Sequence, residues 1–239
     1  MNFVEFNKLF KEKCESNHII YDEIKSELLY KYMTLILEWN NKINLTAIKD
    51  EREFIVKHFI DSLTINEFID DYNQILDIGT GAGFPGIPIK IYNAKSEITL
   101  IDSVNKKINV IKDIICKLKL EKIEAIHIRA EELAKDTKYR ESFDIVTTRA
   151  VSKLSTIVEY MLPFVKIGGK AICMKGPNVE QELEDSKNAI EILGGKVEKI
   201  KKINIDNEFE RNIIIIRKNI HTNIRYPREQ GKPLKEPLK

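Results

Sequence analysis

Apolar positions along the chain follow two different rhythms, which meet near residue 72. Before that point they recur at helical spacing. The pattern predicts helices over 2–15 and 21–39, and in the second Ile24, Leu28, Tyr32, Leu35 and Trp39 form one stripe at intervals of four and three. The asparagines of Asn40-Asn41-Lys42-Ile43-Asn44-Leu45-Thr46 interrupt it, and a third helix is predicted from about 50 to 70 with Phe54, Ile55, His58, Phe59 and Leu63 inward. From Gln74 onward short apolar runs alternate with helical stretches. Strands are predicted over 74–79, 97–102, 122–129, 143–150, 168–176, 196–205 and 210–219. Helices are predicted between them: from about 86, over 104–120, from about 131, over 154–165 and over 179–193. In 104–120 the apolar face is Val104, Ile108, Ile111, Ile115 and Leu118.

Strict alternation of strand and helix demands a parallel sheet covered on both faces. Only residues 206–209 join the last two strands, too few for a parallel crossover, so that pair must be antiparallel. The expected fold is therefore α/β and Rossmann-like, with a seven-stranded, mostly parallel sheet and an antiparallel last strand. This layout resembles the class I methyltransferases more than the dehydrogenases. Residues 1–71 have too few core positions to fold alone, so they read as a helical extension packed on a main domain over 72–219. The tail, 220–239, holds Pro227, Pro233 and Pro237 and is expected to run extended over the surface near a site.

Composition narrows this picture only a little. Three scattered cysteines form no CxxC and leave one unpaired in any scheme, which fits reduced thiols and a cytoplasmic location. No apolar run approaches the roughly 20 residues of a membrane span, and the four isolated histidines suggest no metal. The net charge of +2 hides an asymmetry: residues 1–71 carry 9 Lys+Arg against 14 Asp+Glu, the remainder 30 against 23. A basic body and tail suit a polyanionic partner.

The chemistry centres on Ile75–Gly86, an apolar run ending in four glycines, Gly79, Gly81, Gly83 and Gly86. A buried strand entering such a turn and then a helix is a nucleotide-binding arrangement. Gly81, Gly83 and Gly86 satisfy G-x-G-x-x-G, with Asp102 about 20 residues on, so an NAD-dependent oxidoreductase stays open as an alternative. Two residues favour S-adenosylmethionine (SAM). Asp77 would repel a pyrophosphate but favour a cationic methionyl end, and Pro85 removes an N–H where a phosphate would want a donor. Asp102 would accept from a ribose diol, and the Ala130 backbone and Glu131 side chain would meet the adenine edge.

At the end of the fourth strand, Thr147-Thr148-Arg149-Ala150-Val151 offers neither the Asn/Asp-Pro-Pro-aromatic run of amino methylases nor a Pro-Cys nucleophile. Such a site suits an acceptor that needs no base, such as guanine N7, whose lone pair needs only alignment. No residue is assigned a catalytic role with certainty; Arg149 and Lys175 are candidates, and Lys175 is also a candidate for the RNA backbone. His58 and Asp61, three apart on the third helix, read as a buried histidine satisfied by Asp61 or by backbone. Asn41 and Lys42 near Trp39, and Arg225, Arg228 and Lys232 around Tyr226, are candidate RNA contacts of a kind suited to phosphate and base stacking.

EWNNKINLTAI (38–48), HFIDSL (58–63), LDIGTGAGFPGIPIKI (76–91), LIDSVNKK (100–107), RAEEL (129–133), FDIVTTRAV (143–151), GGKAICMKG (168–176) and RYPREQGKPLKEPL (225–238) together resemble the bacterial small-subunit ribosomal RNA guanine-N7 methyltransferase family, also called glucose-inhibited division protein B. The resemblance spans essentially the whole chain. It implies SAM-dependent N7 methylation of one guanine, conventionally number 527, in 16S rRNA of the 30S subunit. It also implies SAM contacts at Gly79, Phe84, Ala130, Glu131 and Arg149. The sequence does not give the oligomeric state; a monomer needing no protein partner is the expectation that requires no further assumption. Thr148 stands where the family often has Ala, and Glu229 where its tail often has a base. A non-catalytic RNA-binding assembly factor is the other alternative.

Overall fold

The computed structural model describes residues 1–149, 152–205 and 209–238. Two capped helices open the chain. In α1 (Phe3–Ser16) the Asn2 side chain accepts from Glu5 N–H while Glu5 Oε2 accepts from Asn2 N–H, both at 3.0 Å. In α2 (Glu23–Asn40) Asp22 accepts from Lys25 N–H at 3.0 Å. The predicted stripe of α2 is rotated: Leu29, Tyr32, Met33 and Ile36 are buried, whereas Ile24 is 75% exposed. Leu28, Leu35 and Trp39 lie at its margin, partly buried.

The third helical segment is shorter than expected and irregular. It starts as α3 (Glu51–Phe54), widens into a π-helical stretch at Ile55–Ile60, closes as α4 (Asp61–Leu63) and gives way to a 3₁₀ turn at Asn66–Phe68. A π insertion re-aims the side chains beyond it, and here it falls on Lys57, His58 and the approach to Asp61.

The sheet comprises β1 (Gln74–Ile78), β2 (Glu97–Asp102), β3 (Ile123–His127), β4 (Phe143–Arg149), β5 (Val165–Lys175), β6 (Gly195–Ile205) and β7 (Phe209–Lys218). Its order is β3-β2-β1-β4-β5-β7-β6, parallel from β3 to β5, with β7 antiparallel to both neighbours. The intervening helices are α5 (Gly86–Tyr92), α6 (Asn105–Lys117), α7 (Ala130–Leu133), α8 (Leu154–Met161) and α9 (Glu180–Ile192). Val104 precedes α6 and is exposed, so the apolar face of α6 rests on Ile108, Val110, Ile111 and Ile114. The tail is not wholly extended: one short turn, α10 (Lys232–Lys235), contacts α8.

Because strand side chains alternate, each buried strand feeds two cores. Ile213 and Ile215 face one cluster, Ile214 and Ile216 the other. The first cluster joins α1, α2 and the 51–65 segment to α5, α6 and the sheet; the second joins the sheet to α7, α8 and α9. Thus the N-terminal helices share a core with the sheet. Tyr32 Oη donates to Ala82 O at 2.5 Å, and Trp39 Nε1 donates to Asp113 Oδ2 at 3.0 Å. No helix among the described residues is long and apolar enough to cross a membrane.

Candidate active site

The glycine turn closes on itself and on the neighbouring strand. Gly79 and Thr80 N–H donate to Ile101 O at 2.9 and 3.1 Å, and Gly83 and Phe84 N–H donate to Thr80 O at 2.8 and 2.9 Å. Two glycines are required by space. A Cβ on Gly83, whose φ is +99°, would lie 2.6 Å from Tyr32 Oη, and one on Gly86 would lie 2.2 Å from Leu100 Cδ2. Above Gly81 there is room: its Cβ would meet nothing nearer than Gly79 O at 3.9 Å.

Beside this turn, at the carboxyl ends of β1, β2 and β3, lies a cleft of about 250 Å³. In open parallel sheets this is where ligands bind. Gly79, Asp102, Ala130 and Glu131 line it together, with Ile101 and Tyr160 supplying apolar wall. Small-molecule sites begin near 300 Å³, so the cleft is at the small end of that range and shaped for part of a ligand. Asp102 is pre-oriented: Oδ2 accepts from Gly81 N–H at 2.9 Å and Oδ1 from Val104 N–H at 2.8 Å. Each oxygen keeps a lone pair for a hydroxyl donor. Glu131 is likewise held, its Oε1 accepting from Gly231 N–H at 3.0 Å.

Asp77 does not line the cleft. It is fully buried, and Oδ2 accepts from Thr80 Oγ1 at 2.7 Å and Gly86 N–H at 3.0 Å, so its carboxylate shapes the turn. Oδ1 is buried with no partner among the described residues. Burial lifts this carboxyl to about 6 against the lowering effects of Thr80, Gly86 and Arg149.

Phe84, Arg149 and His58 form a second group at the end of β4. The His58 and Phe84 rings stack at 4.2 Å and 5°, and the Arg149 guanidinium lies 4.9 Å from the Phe84 centroid. Arg149 Nη2 donates to His58 Nδ1 at 2.9 Å, and Nη1 to Lys57 O at 3.0 Å and Asp61 Oδ2 at 3.1 Å. A guanidinium can only donate, so Nδ1 is the bare nitrogen and Nε2–H points to Thr46 Oγ1 at 2.8 Å. Burial, reinforced by Arg149, holds this imidazole down to about 3, hence neutral. The expected Asp61 partner of His58 is thereby corrected to Thr46 and Arg149. Asp61 itself, fully buried, takes Arg211 in a fork, Nε at 2.8 Å and Nη2 at 3.0 Å, in addition to Arg149. Sequence reading misses Arg211; its one signal is a base two residues before the run of isoleucines at 213–216.

Lys175 is not a free cation. Its Nζ donates to Ser152 O and to Glu182 Oε2, both at 2.7 Å, and Glu182 also caps Leu154 N–H. Among the RNA candidates, Asn41, Lys42, Arg225 and Lys232 are exposed. Lys42 lies 5.2 Å over the Trp39 ring. Two members of the tail group are already engaged within the fold. Arg228 forks onto the fully buried Glu159, Nε–Oε1 2.9 Å and Nη2–Oε2 2.7 Å, because a buried carboxylate must be paired. Tyr226 is 6% exposed and cannot offer its face to a base.

Comparison with known proteins fits this geometry. The chain matches the family model described as "GidB: rRNA small subunit methyltransferase G" over residues 25–214. It is 45% identical over 237 residues to a protein of Acetivibrio thermocellus named ribosomal RNA small subunit methyltransferase G, covering 98% of each chain. The Clostridium kluyveri protein of that name is 42% identical, with 99% of this chain and 100% of its own length covered. In fold the chain is similar to M. jannaschii TYW2 in complex with AdoMet (TM-score 0.54, 18% identity, covering 68% of this chain and 76% of that one). A SAM-dependent methyltransferase from Aquifex aeolicus is similar too (TM-score 0.52, 17% identity, covering 70% and 93%).

Fold, cleft and relatives together define a SAM-dependent methyltransferase, and the NAD-dependent and non-catalytic alternatives fall away. More narrowly, the chain belongs to the rRNA small subunit methyltransferase G family. The residues at the cleft fit the cofactor: a carboxylate for a diol, a glycine turn with room above it, and an apolar wall of Ile101 and Tyr160.

Proposed function

We propose that this chain transfers a methyl group from SAM to N7 of one guanine of 16S rRNA, position 527 by the family's convention, acting in the cytoplasm as a monomer on the 30S subunit or its precursor. The observation that carries the N7 reading is how the polar groups beyond β4 are spent. His58 is neutral and bonded on both nitrogens, Arg149 serves three acceptors, and Lys175 is paired. Thr147 and Thr148 donate their hydroxyls to Ile172 O and Ile78 O. None of these is poised to take a proton, and guanine N7 yields none on methylation.

SAM, when bound, supplies an electrophilic methyl on sulfur. Gly79, Asp102, Ala130 and Glu131 would hold its nucleoside, and the turn would fix its position against β4. Phe84, its ring stacked on His58 with the Arg149 guanidinium beside that stack, would hold the turn toward the end of β4. Arg149 acts there as a positioning residue for Phe84. Its fixed positive charge also favours an approaching polyanion. Most of the acceleration then comes from alignment.

The test is incorporation of labelled methyl from SAM into 30S subunits of a strain lacking the endogenous enzyme, with the modified base mapped. Label at N7 of guanine 527 is expected, and it is abolished in Gly81→Asp. That carboxylate enters the open space above the turn, while αL backbone (φ +60° here) is tolerated by Asp. Label on another atom, or none, refutes the reading.

A further inference from the structure

The cofactor cleft has one wall that the methyltransferase sheet does not supply. Leu234, in the C-terminal tail, lines it together with Ile101, Ala130 and Tyr160, and is 62% exposed. The tail is held there by a series of specific bonds. Arg140 Nη1 donates to Tyr226 O, and Nη2 to Thr222 O, both at 2.9 Å. Arg228 forks onto buried Glu159 and reaches Glu236 O at 2.7 Å. Thr156 Oγ1 donates to Pro233 O at 3.1 Å. Gly231, at φ +76°, turns its N–H onto Glu131 Oε1.

We propose that residues 231–234 are a built part of the SAM site, closing over the adenosine half of the cofactor. Three observations converge on that half. The wall that Leu234 completes is apolar, as the flat face of a purine requires. Gly231 occupies only one oxygen of Glu131, fixing the carboxylate while leaving Oε2 for a ligand donor. Leu234 is an exposed apolar side chain at the rim of the cleft, so a ligand there gives it something to cover. The basic tail thus serves the cofactor, and its docking and SAM binding reinforce one another. The inference rests on the placement of SAM in this cleft.

Isothermal titration of the full-length protein with SAM and with S-adenosylhomocysteine tests it. Leu234→Ala removes most of an exposed side chain and leaves the fold unchanged. It is expected to weaken both ligands alike, by about tenfold, which is what the apolar area of part of one leucine side chain is worth against a purine. Leu234→Asp is expected to weaken them further. In hydrogen exchange, S-adenosylhomocysteine is expected to add protection at residues 226–236. Unchanged affinity in both Leu234 variants, with normal binding by the unmodified chain, overturns the proposal. If Asp102→Ala also binds normally, the placement in the cleft fails with it; if Asp102→Ala alone loses binding, the placement stands and only the role of the tail is refuted.

Discussion

His58 makes stability at mildly acidic pH a direct reading of the group around Phe84. The imidazole is neutral, with Nδ1 facing the Arg149 guanidinium and its ring stacked on Phe84. Burial first, and Arg149 second, hold its pKa at about 3 against an ordinary 6.5. Between those values the unfolded chain binds a proton that the folded chain refuses, so stability is complete above pH 6.5 and falls as the pH drops toward 3. From pH 7 to pH 5 the loss amounts to about 2 kcal/mol. Asp77 works the other way: raised to about 6 by burial, it takes up a proton in the folded state first and returns about 1 kcal/mol over the same interval. The wild-type profile is therefore shallow, and the two contributions must be separated by substitution. His58→Gln keeps an acceptor for Arg149 and a donor for Thr46 but cannot titrate. Urea unfolding at pH 7 and pH 5 is expected to show the variant less stable at pH 7, by about 1–3 kcal/mol from weakened stacking and packing. Its subsequent loss on acidification is expected to be about 2 kcal/mol smaller than that of the wild type. Parallel profiles for the two proteins would refute the assignment of a neutral, guanidinium-bonded histidine.

Two further substitutions probe the same frame. Asp61→Asn leaves Arg149 and Arg211 sharing a neutral amide in a buried site; the expected loss in urea unfolding at pH 7 is about 3–5 kcal/mol, and a loss below about 1 kcal/mol would refute the shared-carboxylate reading. Gly86→Ala forces a methyl against Leu100 and the Asp77 carboxylate; calorimetry is expected to show about 1–3 kcal/mol of destabilisation, and an unchanged melting temperature would refute that close approach.

Much of the fold can be read from the chain because it is written in local periodicity. The strand EITLID at 97–102 coincides with β2, and the short 206–209 link correctly implies an antiparallel final pair. The glycine turn is also local. Gly79, Asp102, Ala130 and Glu131 fall on one cleft because successive strands of a parallel sheet place their carboxyl ends side by side. Periodicity says less about which way a helix is turned. Ile24 extends the helical stripe of α2 yet is exposed, since the partner surface, α1 and the 51–65 segment, sets the buried face.

The pairings of the site are out of reach for a different reason. Asp61 meets Arg149 88 residues away and Arg211 150 residues away, and no local spacing encodes either. Glu159 carries a usable signal: an acid beside Val158 and near Met161 on the apolar face of a short helix needs a buried cation. That demand directs Arg228 inward, instead of toward phosphate. The basic character of a tail is a property of its composition, whereas the availability of each base depends on the acids the fold buries beneath it.

The N-terminal helices are inseparable from the chemistry for the same reason. Tyr32 Oη holds Ala82 O inside the glycine turn and would meet any side chain on Gly83. Phe84 packs against Tyr32, Phe54, His58 and Phe59, all contributed by the first 60 residues. Arg149 reaches back from β4 to Lys57, His58 and Asp61. A class I sheet lacking this extension would leave Phe84 exposed and Arg149 short of three acceptors, and the glycine turn would lose the packing that fixes it. In the N7 transfer proposed above, driven by alignment, that packing would take the place of a catalytic base, and the residues that matter most to rate would be those that keep the turn still.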